Sequence, residues 1–197
     1  MLHTQTDITG CRFSLYPMSD DYVSIILEAL RKTDTTKVWQ RTDAMSTLYF
    51  GRQSNVISCV CAVFSNARKD GIHMAGEFMF SDASQFAEEV PDAILLAGDE
   101  TLSSSSAPFT DYPAYAKVSL CTDGSQNREK HIGEIVRHAK QLGLQPGIVP
   151  YAIMLKGSAT TLFAYFSDVI DYARVHMPSY ALQATVSVNS PTRDDPD

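Results

Sequence analysis

The side chains able to do chemistry are few, and their spacing suits little of it. Cys59 and Cys61 stand two apart in a segment with helical periodicity, where i and i+2 point to different faces and cannot easily share a metal ion. Cys11 and Cys121 fall in strand-like runs, and all four thiols are expected to pack as small hydrophobes. His131 and His138 lie seven apart on one predicted helix, too far for a tight bidentate site, and no zincin-type pattern completes them, so no metal is expected. His73 and Glu77 sit four apart in a strand, on one face but beyond hydrogen-bonding reach, and read as the surface of an edge strand. No glycine-rich phosphate loop follows a strand, no Gly-x-Ser-x-Gly elbow occurs, and no Ser, His and Asp spacing singles out a triad. These residues single out no catalytic or metal site, and no cofactor is expected from them.

The elements that must position any site are built twice. The run Met45-Ser-Thr-Leu-Tyr-Phe-Gly51 is matched by Tyr151-Ala-Ile-Met-Leu-Lys-Gly157, an offset of 106. At that offset Val56, Val60, Val63 and Ala67 meet Leu162, Phe166, Val169 and Ala173, so the apolar face of the following helix recurs as well. In the first block Cys11, Phe13 and Leu15 alternate with polar neighbours, the period of a strand that Pro17 stops. Ser19-Asp20-Asp21 supplies a cap and early acids for an amphipathic helix ending in Arg31 and Lys32. A long strand follows from Val38 to Phe50, with Thr42-Asp43 in its middle, where it can fold into a hairpin. A helix over 55–68, a turn at Asp70-Gly71 and a strand over 72–80 close the block.

The second block repeats this as a strand over 116–120, a helix over 128–142, a hairpin interrupted by Pro146-Gly147 and Pro150, a helix over 159–175 and a strand over 180–188. The expected fold is α+β: two tandem ferredoxin-like β-α-β-β-α-β repeats, each an antiparallel sheet of about four strands with helices on one face. The division is residues 1–81, a connector over 82–113 with a short helix near Phe86 and a mobile Ser103 to Ser106 stretch, and residues 114–197. Both faces of the central strand carry large apolar groups, so a second cover beyond the helices is expected: the other repeat, another subunit or a ligand.

Composition narrows the partners. A net charge of −7 with no Lys/Arg cluster disfavours nucleic acid and anionic membrane surfaces and is compatible with a small cationic ligand. No apolar stretch reaches the roughly 20 residues of a membrane span, and the start Met1-Leu-His-Thr-Gln-Thr lacks the features of a secretory signal. A cytoplasmic protein is expected.

The segments Arg12-Phe-Ser-Leu-Tyr-Pro-Met18 with Asp20-Asp21, Thr33-Asp-Thr-Thr-Lys-Val-Trp39, Thr42-Asp43, Ser46-Thr47 and Gly51 form a specific pattern, continued by Gly143, Tyr151-Ala152, Gly157 and Asn189-Ser-Pro-Thr-Arg193. It resembles the YkoF family of thiamine- and hydroxymethylpyrimidine-binding proteins over nearly the whole chain. The resemblance implies a homodimer of tandem ferredoxin-like repeats, a thiamine-type ligand held by each repeat, no catalysis, and a link to uptake or handling of the thiamine pyrimidine precursor, hence to a vitamin-precursor transporter. The chain departs from the pattern in its second half. There Val118-Ser-Leu-Cys-Thr-Asp123 replaces the Phe-x-Leu-Tyr-Pro-Met segment, and Pro150 is the counterpart of Ala44, which in the first half stands where family members carry histidine before the Ser-Thr pair; an altered or lost second site is expected.

A thiamine pocket needs flat walls, a negative charge and directional hydrogen bonds. Tyr16, Met18 and Trp39 are candidates for the walls, Asp43 for the charge, and Ser46 and Thr47 for the hydrogen bonds. By residue type alone, Trp39 and Met45 read as core, Asp43 as a turn residue, and Ser46 and Thr47 as ordinary strand positions. The resemblance tips Tyr16, Trp39 and Asp43 toward the site. The alternative is an ACT-like regulatory module sensing another small effector.

Overall fold

The computed structural model describes residues 7–82, 90–98, 111–122 and 128–192. The segments expected to hold a helix near Phe86 and a mobile serine run lie outside them. The elements run β1 (Ile8–Pro17), α1 (Tyr22–Lys32), β2 (Trp39–Thr42), β3 (Thr47–Arg52), α2 (Gln53–Ala67), β4 (Met74–Ser81), α3 (Asp92–Leu95), β5 (Pro113–Cys121), α4 (Arg128–Gln141), β6 (Gln145–Val149), β7 (Ala152–Ser158), α5 (Ala159–His176) and β8 (Ala181–Val188). Each half therefore follows the order strand, helix, two strands, helix, strand, and the long central strand is a hairpin that turns over Asp43 to Ser46.

The eight strands form one sheet in the order β2-β3-β1-β4-β8-β5-β7-β6, antiparallel throughout. Two sheets of about four strands were expected, but the halves merge through β4 and β8, paired from Met74 opposite Val188 to Ser81 opposite Ala181. The reason is the unpaired backbone at the last strand of each half: joining them satisfies both rows of N–H and C=O groups and removes two exposed edges. Glu77 thus lies on a central strand rather than an edge, and His73 stands just before that strand, its carbonyl accepting from the Met18 N–H at 2.9 Å. The edges are instead β2 and β6, and β6 carries Pro146, whose missing N–H costs no ladder bond at an edge.

Alternation decides which side chains meet the helices. Cys11, Phe13 and Leu15 of β1, Tyr49 of β3, Phe78 and Phe80 of β4 and Leu182, Ala184 and Val186 of β8 are buried in one core cluster with α2 and α5. Helix α2 is buried nearly all round because it packs on the sheet and against both α1 and α5, so Cys59 and Cys61 are both buried although they face different ways. The opposite face of β3 is closed as well. Leu48 and Phe50 are buried there, and α3 of the connector packs on that strand, with Ile94 beside Gly51.

Two capping and packing expectations change. Asp21 precedes α1 without a side-chain cap, and Ser19 Oγ accepts from the Asp21 N–H instead. Cys121, at the end of β5, is exposed, whereas Cys11, Cys59 and Cys61 are buried. Burial pushes the Cys11 thiol well up and the Cys61 thiol up to about 12, which suppresses their thiolates. In the native protein one thiol, Cys121, is expected to react rapidly with a chromogenic disulfide, and the other three only after unfolding; stoichiometric reaction of two or more would contradict this packing. No helix among the described residues is long and apolar enough to cross a membrane.

Candidate ligand-binding groove

The face of the sheet away from the helices carries the mostly polar members of each alternation. On β1 these are Arg12, Ser14 and Tyr16, on β4 Glu77 and Met79, on β8 Gln183 and Thr185, and on β5 Lys117 and Ser119. Together with Met45 and Ser46 they line a groove of about 460 Å³ that runs across the seam between the halves.

Its most ordered corner is the β2–β3 turn. Arg12 Nη1 donates to Asp43 Oδ2 at 2.7 Å and to Ser46 Oγ at 2.5 Å. Asp43 Oδ1 accepts from the backbone N–H groups of Met45 and Ser46, both at 2.9 Å, so one carboxylate closes the turn and anchors the guanidinium. Ser14 Oγ donates to the Met45 carbonyl at 2.9 Å, tying the turn to β1. Farther along β1, Tyr16 Oη donates to Glu77 Oε2 at 3.2 Å. The groove thus presents two carboxylates, two cations, several hydroxyls and an amide, with the Tyr16 ring and Met45 as exposed apolar surface.

Asp43 is held down to about 2, first by the Arg12 hydrogen bond and then by the Met45 and Ser46 N–H groups. Its folded pKa lies below the unfolded value of about 3.9, so its contribution to stability is present above that value and disappears as the pH falls through about 2. A carbon-detected NMR titration should place the Asp43 carboxyl midpoint near 2. A midpoint near 4 would mean that the Arg12 contact is absent in solution.

The six residues singled out in the sequence are divided by this geometry. Tyr16 and Ser46 line the groove, and Asp43 adjoins it through Arg12. Met18 lies past the end of β1, largely exposed. Trp39 is half-buried on the edge strand β2, opposite Phe50, and outside the groove lining. Thr47 faces the helices: it sits opposite Phe13, is buried, and shares a hydrogen bond with Thr42 at 3.1 Å. Sequence reasoning passed over Arg12, Glu77, Lys117, Gln183 and Thr185. Arg12 was within reach, since it alternates with the core residues Cys11 and Phe13; the others depend on the β4–β8 pairing.

The second half has a differently built cavity of about 360 Å³. It lies between α4 and the β6–β7 hairpin, where Leu120, Ile132, Ile135, Ile148 and Ile153 make apolar walls and His131 and Thr122 supply polar atoms. Among the described residues its lining holds no Asp, Glu, Lys or Arg. The residue related to Asp43 by the 106 offset is Val149, and the one related to Tyr16 by strand register is Cys121.

The sequence model of the YKOF-related Family matches residues 8–85 and again residues 114–193. The chain belongs to this family. A relative from Bacillus subtilis (strain 168), named "Putative HMP/thiamine-binding protein YkoF", is 32% identical over 186 residues, covering 94% of this chain and 92% of the relative. The double match coincides with the two structural halves, so the family's sequence unit corresponds to one β-α-β-β-α-β block.

Proposed function

We propose that this protein binds hydroxymethylpyrimidine or thiamine without transforming it. The observation that carries the reading is the full-length kinship to the Bacillus subtilis relative, whose printed name gives that ligand class. Each half is a ferredoxin-like repeat in this reading, and the groove at the Arg12–Asp43–Ser46 corner is the ligand site of the first. An aminopyrimidine offers ring-nitrogen acceptors and an exocyclic amine donor, and the groove offers both kinds of partner in the Ser46, Ser14 and Tyr16 hydroxyls and the Gln183 amide. The thiazolium charge of thiamine would be met by Glu77 and Asp43.

The second-half cavity lacks such a carboxylate among its described lining, so the first half is the tighter site. The handling of the pyrimidine precursor, with a transporter as its source, and a cytoplasmic location belong to the same reading. Calorimetric titration with hydroxymethylpyrimidine, thiamine and thiamine diphosphate tests it: saturable heat is expected from the first two. Silence with all three would favour an effector-sensing module instead.

The protein acts as a homodimer in this proposal. Tyr16, Met45, Met79 and Met154 are exposed apolar groups, most of them standing among polar residues on the sheet face away from the helices, and an open sheet face of this kind is a natural seat for a second copy. Light scattering should give twice the 21.7 kDa chain mass at micromolar concentration, and a single-chain mass would contradict it.

A further inference from the structure

Arg68 and Arg174 hold the same place in the two halves, 106 residues apart at the C-terminal ends of α2 and α5, and their surroundings differ in charge. Arg174 is enclosed by acceptors: Asp171 at 3.3 Å, Asp7 at 3.6 Å and Thr9 Oγ1 at 3.0 Å. The position related to Asp171 by the same offset is Ser65. Between β1 and β5 the offset is 105, because Thr47 lies opposite Phe13 and its counterpart Ile153 opposite Val118, so the position related to Asp7 is Tyr112. Two carboxylates have become two hydroxyls, and those bond each other at 3.0 Å.

Arg68 is left with less. Its guanidinium lies 4.9 Å from the centroid of the Tyr112 ring, and Nη2 meets Asp70 at 2.7 Å, an aspartate whose side chain is 91% exposed. Its Nε is buried with no partner among the described residues. A buried guanidinium N–H without an acceptor is costly, and its retention needs a reason. This arginine lines a cleft of about 460 Å³ with Lys156, Tyr112, Tyr115, Ser190 and Thr192. Lys156 lies over the Tyr115 ring at 5.4 Å. The Ser190–Thr192 turn is fixed by Asn189, whose backbone is left-handed at φ 53° and whose Nδ2 donates to the Lys69 and Ile72 carbonyls at 3.0 and 2.9 Å. The C-terminal Asn-Ser-Pro-Thr segment thus brings Ser190 and Thr192 to the cleft that Arg68 and Lys156 also line.

We propose that this cleft is an oxyanion site that receives a phosphate monoester. Arg68 and Lys156 neutralise the charge, and the Ser190 and Thr192 hydroxyls donate to remaining oxygens. The donors come from three separate places in the fold: α2's end, β7 and the segment after β8.

The test is a titration of the full-length, ¹⁵N-labelled protein with inorganic phosphate at constant ionic strength, following arginine side-chain Nε–H signals. The Arg68 signal should shift saturably and the Arg174 signal should not. Arg68→Gln and Lys156→Gln should each weaken the response, read at backbone amides of Ser190 and Thr192, by about tenfold, the effect of losing one charge-assisted contact. Lys156 is exposed on the sheet, so its variant keeps the test open if Arg68→Gln fails to fold. A non-saturable drift, an equal response to acetate, or unchanged binding in the Lys156 variant would overturn the assignment.

Discussion

Phe78→Ala is expected to destabilise the protein by about 3–5 kcal/mol, the range for removing a buried phenylalanine and leaving a cavity. Phe78 is the centre of the aromatic cluster: its ring stacks on Phe13 and Phe80 and meets Phe64 and Phe163 edge-on, with centroids 5.3 to 6.4 Å away. These partners come from β1, β4, α2 and α5, so one side chain joins both halves. Collapse around the lost ring is hindered because its cross-strand neighbour on β8 is Ala184 and its neighbour two residues back along β4 is Gly76. A Cβ on Gly76 would come within 2.8 Å of Phe78 Cε2 and 2.9 Å of Phe64 Cε2, so the glycine exists to admit these rings. Urea unfolding by fluorescence and circular dichroism should show a single transition at a lower midpoint with an unchanged slope. A loss below about 1 kcal/mol, or two separated transitions, would contradict a shared core.

The second large effect concerns charge in the groove. Asp43→Asn keeps an Oδ1 to accept from Met45 and Ser46, so the turn survives, while Arg12 loses its counter-charge. An uncompensated guanidinium should then repel a thiazolium and leave a neutral ring unaffected. The expected result is at least about a tenfold loss of thiamine affinity, with hydroxymethylpyrimidine changed much less. Asp43→Ala also frees the turn and should weaken both ligands by about tenfold or more. Equal losses for both ligands in Asp43→Asn would place the thiamine charge elsewhere.

The 106-residue repeat and the hydrophobic periods made the elements legible, down to the hairpin hidden in the run from Val38 to Phe50. Periodicity is a local property, and each segment carries it alone. The join between β4 and β8 was not legible, because backbone pairing between residues a hundred or more positions apart leaves no local pattern. The groove inherited that gap: Glu77, Lys117, Gln183 and Thr185 meet only once the halves share a sheet. Register explains the division of the Ser46-Thr47 pair. Adjacent residues at the start of a strand face opposite ways, and the turn fixed by Asp43 sends Ser46 to Arg12 and Thr47 to the core. Cys121 was misjudged for a related reason, since the alternation that buries Val118 brings the end of β5 to the surface.

The most direct test of the groove as the ligand site is a chemical-shift map of the ¹⁵N-labelled protein titrated with hydroxymethylpyrimidine. The amides of Ser14, Tyr16, Ser46 and Glu77 are predicted to shift first and saturate together, with the second-half hairpin responding only at higher ligand. Shifts confined to residues 148–153, or none at saturating ligand, would contradict the account.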